Sequence, residues 1–280
     1  MDDADTSKHM ELNIDNKKIE KLFAEFFGLD SSYIHKCYRE FKDSYNQKLS
    51  SFDGGFISKQ KQSWRISFQE QQTMNHWENS TLIGVDLPLF FKCPDPKAQT
   101  VMLVAQDPLR NRDHFPSNDF KDRDVIIGTP FAFHNSRHRE EENAKIVFDL
   151  VQHIIGKNYH VYITDVYKVW MKDDKKKDNK GHELTKESTI FNHLLRKELD
   201  IIDPKIIITL GGVPEKIIKK LSKNFDLDFN PHHLPFLHPS PTARRWWDER
   251  VFQRTEKWSQ EKWNREILEY MNNEFDKYLD

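Results

Sequence analysis

Four short apolar runs separated by longer amphipathic stretches constrain the fold more than any other feature of this sequence. The runs are TVMLVAQD, YHVYITDVY, PKIIITLGG and HLPFLHPS, each rich in Val, Ile or aromatic residues and each closing on a turn signal. Hydrophobicity that is continuous rather than alternating means burial on both faces, as in a parallel strand. Between the runs, Glu141 to Ile155, Thr185 to Leu199 and Pro214 to Leu221 are amphipathic, and the last opens with Pro at a first helical position. Alternating strand and helix imply right-handed crossovers and a sheet covered on both sides. The expected fold is a three-layer α/β/α sandwich around a central, mainly parallel four-stranded sheet.

Upstream, Ile19, Leu22, Phe23, Phe26 and Phe27 repeat at helical spacing, with no strong alternating run before residue 85. The expected organisation is a helical N-terminal layer over 10–97, an α/β core over 98–247 and a long C-terminal helix over 248–280 packed on that core. Residues 1–9 read as a polar leader, Met10 being a possible natural start, and Lys172 to His182 as a solvated loop of mixed charge. The composition, 37% hydrophobic and 31% charged, suits a chain that buries a sizeable core beneath a solvated surface. No apolar run approaches the ~20 residues that span a bilayer, and the N-terminus has no basic segment followed by an apolar one. Two cysteines, Cys37 and Cys93, are too few for a disulfide framework, a four-thiolate zinc site or an iron-sulfur cluster. The expectation is a cytoplasmic monomer without metal or cofactor. A net charge of −2 does not argue against a nucleic-acid partner, because phosphates are held by local basic clusters.

Three of the runs end in polar residues that a buried sheet does not need: AQDPLR at 105–110, TDVYK at 164–168 and LHPSPTARRWW at 237–247. Ligands of such sheets bind outside the carboxyl ends of the strands, where these residues converge. Taken singly, Asp107-Pro108 and Pro239-Ser240-Pro241 are also ordinary turn formers.

Taken together and in this order, Ala105-Gln106-Asp107-Pro108, the segment GTPFAF (128–133), YITDVYKVW (162–170) and His238-Pro239-Ser240-Pro241 resemble the motifs of the uracil-DNA glycosylase superfamily. The resemblance covers about residues 98–247. It implies a glycosylase that flips a nucleotide out of double-stranded DNA, holds its base in a pocket and leaves an abasic site. It further implies that Asp107 lies under the sugar, stabilising the oxocarbenium-like transition state and orienting water. His238 would face the departing base, donating from a neutral imidazole. Gln106 and Phe131 would contact the base, with Phe133 two residues on competing for the stacking role. Ser240, Thr242, Arg244, Arg245 and Trp246 would grip phosphates and wedge the duplex. One of Trp246 and Trp247 is expected in the core.

Two positions depart from the pattern of the uracil enzymes. Asp165 stands where they have the base-reading Asn, and Leu109 where they have a Tyr that blocks the space beside base carbon 5. An ionised carboxylate only accepts, so it meets uracil acceptor to acceptor. It suits the exocyclic amine of cytosine, and a protonated carboxyl suits that amine and N3 together. Burial beside Asp107 should leave one of the two carboxyls protonated. Leu109 opens the wall at carbon 5. Arg110, Arg112, His114 and Asn118 lie in a polar stretch that would suit a hydroxymethyl or sugar substituent and would equally suit an ordinary surface loop. The departures are similar to those of an antiviral branch of the superfamily that excises hydroxymethylated or glucosylated cytosine from phage DNA. A uracil repair enzyme and a non-catalytic DNA-binding relative are the alternatives.

Overall fold

A computed structural model describes residues 11–13, 16–46, 58–60, 81–106, 125–140, 142–172, 188–224 and 231–279. The four apolar runs form the strands β5 (Thr100–Ala105), β7 (His160–Asp165), β9 (Ile206–Leu210) and β10 (His232–Phe236), side by side in the order β7-β5-β9-β10 and all parallel. Every residue of β7 and β9 is buried, which is why these runs show no alternation. In β10 only Leu234 and Phe236 are buried, and Pro235, which cannot donate to a ladder, sits on this edge strand.

The sheet is wider than the four strands expected. β4 (Leu89–Lys92) pairs antiparallel with β7, and β1 (Glu11–Asn13) pairs antiparallel with β4, giving six strands. A second, four-stranded sheet has the order β2-β6-β3-β8, from Ser58–Gln60, Val125–Gly128, Thr81–Asp86 and Val169–Lys172. Apart from β3, whose register slips between Leu82 and Gly84, these added strands have three or four residues, too few for a period of two to register in the sequence. The N-terminal stretch therefore contributes strands as well as the helices α1 (Lys17–Phe27) and α2 (Ser31–Asn46).

Connections from β5 and β7 leave in opposite directions. From β5 the chain runs through α3 (Glu142–Gly156) to β7, and from β7 through α4 (Ser188–Ile202) over β5 to β9; α5 (Gly212–Asn224) then leads to β10. Right-handed crossovers put α3 on one face and α4 and α5 on the other. α1 packs on α4, and α6 (Gln260–Asp276) packs on α3. There the Asp276 carboxylate accepts from Lys157 Nζ at 2.9 Å and lies 2.8 Å from His153 Nε2. The expected continuous C-terminal helix is broken. A π-helical turn spans Asp248–Phe252, Gln253 takes a left-handed φ of 49°, and α6 restarts where the Ser259 side chain accepts from Lys262 N. No helix among the described residues is long and apolar enough to cross a membrane.

Candidate active site

In the order β7-β5-β9-β10 the strand sequence reverses between β5 and β9, and sheets of this kind bind their ligands outside the carboxyl ends of the strands at such a switch point. Ala105 and Asp165 are register partners, so the carboxyl ends of β5 and β7 lie level with each other. Asp165 is 2% exposed, and Gln106 is exposed at the tip of β5. Two backbone bonds tie the turn after β7 to the end of β5: Val166 N donates to Ala105 O at 2.8 Å and Tyr167 N to Gln106 O at 2.9 Å. The second sheet closes on the same point. Asp86, buried at the end of β3, donates its N–H to Lys168 O at 2.9 Å, and Leu87 N donates to Gly128 O at 2.9 Å.

β6 delivers the aromatic turn. Pro130–Ala132 is a tight helical turn rather than a strand, and Phe131 and Ala132 hold left-handed φ values of 55° and 51°. Side-chain-bearing residues adopt that region at a cost of about 1–2 kcal/mol each, and such outliers cluster at functional sites. The turn is held by Ala132 N to Thr129 O (2.8 Å), by a buried Thr129 Oγ1 to His134 Nδ1 contact (2.8 Å), and by Arg139 donating to Phe133 O (2.7 Å) and to Tyr45 O on α2 (3.1 Å). The geometry divides the two phenylalanines. Phe133 is fully buried, whereas Phe131 is half-buried, its ring nearly parallel to those of Phe133 (5.3 Å between centroids, 23° between planes) and His238 (6.2 Å, 23°). β7 packs against this turn.

His238 follows β10 in the His-Pro-Ser-Pro segment. Its carbonyl accepts from Trp247 Nε1 at 3.1 Å, and its Cβ lies 3.6 Å from where a Cβ on Gly211 would stand, Gly211 itself having φ +97°. Burial pushes the imidazole pKa down from 6.5 to about 4. The ring is therefore neutral at physiological pH and has one N–H to donate.

Beyond His238 the chain turns through Pro241–Ala243 into the helical turn Arg244–Trp247. Ser240 Oγ and Thr242 Oγ1 are 2.9 Å apart at the surface. Trp247 is fully buried and Trp246 is 44% exposed. Arg245 is exposed and donates to Glu249, and Arg250 lies over the Trp246 ring at 4.3 Å. Arg244, expected on DNA, makes its contacts here within the protein. It donates to Trp258 O at 2.7 Å and to Gln260 Oε1 at 3.3 Å, with its guanidinium over the Trp263 ring. An arginine with carbonyl acceptors within reach pairs with them rather than with solvent, and the sequence alone does not reveal those partners.

Asp107, Leu109, Arg110, Arg112, His114 and Asn118 lie outside the described residues. The other candidates fall into two groups: Gln106 and Asp165 at the ends of β5 and β7 with Phe131, near His238, on the turn packed against β7, and the segment from Ser240 to Trp246 following His238. Two charged residues that sequence reasoning passed over are buried at the strand end: Lys168 and Glu198, both 0% exposed and 2.7 Å apart. The available signals were a lysine inside the apolar DVYKVW run and a glutamate on the apolar stripe of α4, four residues after Leu194.

A mainly parallel α/β sheet with helices on both faces, a left-handed aromatic turn and a His-Pro-Ser-Pro segment that meets it are the features that place the chain in a class. The chain matches the family model described as the uracil DNA glycosylase superfamily over residues 91–267 and belongs to that superfamily. Among proteins of curated function, none matches the chain.

Proposed function

We propose that this protein is a monofunctional DNA glycosylase that flips out and excises a cytosine carrying a substituent at carbon 5, hydroxymethyl or glucosylated hydroxymethyl, from double-stranded DNA. The observation that carries the reading is the buried carboxyl of Asp165 at the end of β7, the strand against which the Phe131 turn packs. A flipped base needs a π-face and edge-reading groups. Phe131 supplies the face. Asp165, protonated, accepts from the exocyclic amine and donates to N3, the complement of cytosine rather than of uracil. Leu109 leaves room at carbon 5.

The chemistry breaks the bond between C1′ and the base nitrogen, the electron pair departing with the base. Asp107 stabilises the oxocarbenium-like sugar and takes a proton from the water that bonds to C1′. His238 donates to the base oxygen on which charge develops, and Asp165 assists departure by donating to N3. Trp246 fills the space the flipped nucleotide vacates, and Arg245 holds a flanking phosphate.

Asp107→Asn and His238→Ala should each lower the single-turnover excision rate by about two orders of magnitude or more, the scale of one electrostatic or acid-base group. Affinity for the duplex should stay within a few-fold. Wild-type rates in either variant would overturn the assigned roles.

A further inference from the structure

We propose that the buried Lys168 and Glu198 pair is a positioning device that fixes the direction in which Asp165 presents its carboxyl to the base. The inference rests on the reading that Asp165 meets the base edge. Lys168 Nζ reaches Glu198 Oε2 at 2.7 Å and also donates to Thr164 Oγ1 and to the main-chain carbonyl of Asp165 itself. Glu198 Oε1 accepts from Tyr162 OH and from Thr164 Oγ1, each at 2.7 Å. Tyr162 and Thr164 lie on one face of β7, and strand alternation turns Asp165 to the other. The pair therefore holds the strand from behind and clamps the peptide that follows Asp165.

The clamp also extends sideways. The Lys168 carbonyl accepts from Asp86 N, and the turn it closes is bonded through Val166 and Tyr167 to Ala105 and Gln106, immediately ahead of Asp107. One buried cation thus sets the relation between the ends of β3, β5 and β7. Stability does not account for it, since burying two charges costs desolvation that their attraction barely repays, and uncharged replacements of similar volume are often as stable. Positioning does account for it, because small misplacements of a reacting group lower rates steeply.

The double variant Lys168→Met with Glu198→Gln tests this. It removes both charges while keeping the stem volume and the acceptor for Tyr162 and Thr164. The measurements are the thermal midpoint, affinity for an abasic-site duplex, and single-turnover excision of the preferred base and of uracil. The expected result is a folded protein with affinity within threefold of wild type, excision at least tenfold slower, and preference between the two bases reduced at least tenfold. A folded double variant with unchanged rate and preference overturns the proposal. If the double variant does not fold, Glu198→Gln alone decides: slower, less selective excision with affinity retained supports positioning, and unchanged excision overturns it. A wild-type protein that excises no base sinks the underlying reading and this proposal with it, whereas a wild type that excises normally leaves failure to the variants alone.

Discussion

His238 takes its protonation state from its surroundings. Burial lowers its pKa to about 4, against 6.5 in an unfolded chain. Between those values the unfolded state binds the proton and the folded state does not, so stability rises with pH across that window. The contribution is fully present above about 6.5 and is lost as the pH falls toward 4. Nuclear magnetic resonance of the imidazole should show a titration midpoint near 4 and a neutral ring from pH 5.5 upward. A midpoint near 6.5 would contradict the burial of the ring. At this scale the motifs pointed to His238 and Phe131, residues distant in sequence whose rings the fold brings together. Lys168 and Glu198 became legible only once β7 and α4 were in place, because a buried ion pair is a tertiary property of residues 30 positions apart. The left-handed backbone of Phe131 was likewise invisible, since it is imposed by Thr129, His134 and Arg139 and not by a glycine.

Among the elements, the four parallel strands could be read directly, because burial on both faces writes an unbroken apolar run. β1, β4 and the second sheet could not, being short or irregular; β3 slips register between Leu82 and Gly84. The C-terminal stretch looked like one helix because its composition is helical throughout, yet Gln253 breaks it and the π-helical turn places Arg250 over Trp246. That turn carries the prediction for DNA contact. Arg245→Ala and Arg250→Ala should each flatten the slope of log affinity against log salt by about 1, the loss of one phosphate contact. The exposed pairing of Arg245 with Glu249 offers little competition. Arg244→Ala should leave the slope intact and lower unfolding free energy by about 1–3 kcal/mol, because it removes charge-assisted bonds to Trp258 and Gln260. Fluorescence titrations at several salt concentrations with urea melts distinguish the two. A flattened slope in the Arg244 variant alone would reverse the assignment.

Across the whole molecule, the superfamily match begins at residue 91, yet the layer before it belongs to the working structure. α1 packs on α4, the Phe23 ring lies 5.9 Å from Lys168 Nζ, and Tyr38 on α2, whose pKa is raised by burial and then by Glu198, donates to Pro88 O at 2.9 Å. The N-terminal helices thus roof the buried charges behind β7. A net charge of −2 leaves contact with a polyanion to local basic clusters rather than to the chain as a whole. The central claim is that a carboxyl at the end of β7 selects a modified cytosine. It is tested most directly by wild type and Asp165→Asn on duplexes carrying a single uracil, cytosine, 5-hydroxymethylcytosine or glucosylated 5-hydroxymethylcytosine, with abasic sites revealed by alkali. The account predicts strand breaks at a 5-substituted cytosine for wild type, with that activity lost in Asp165→Asn and discrimination shifted toward uracil by about one to two orders of magnitude, the worth of one bidentate base contact. Breaks at uracil and at no cytosine derivative, with the preference unchanged in Asp165→Asn, would contradict it.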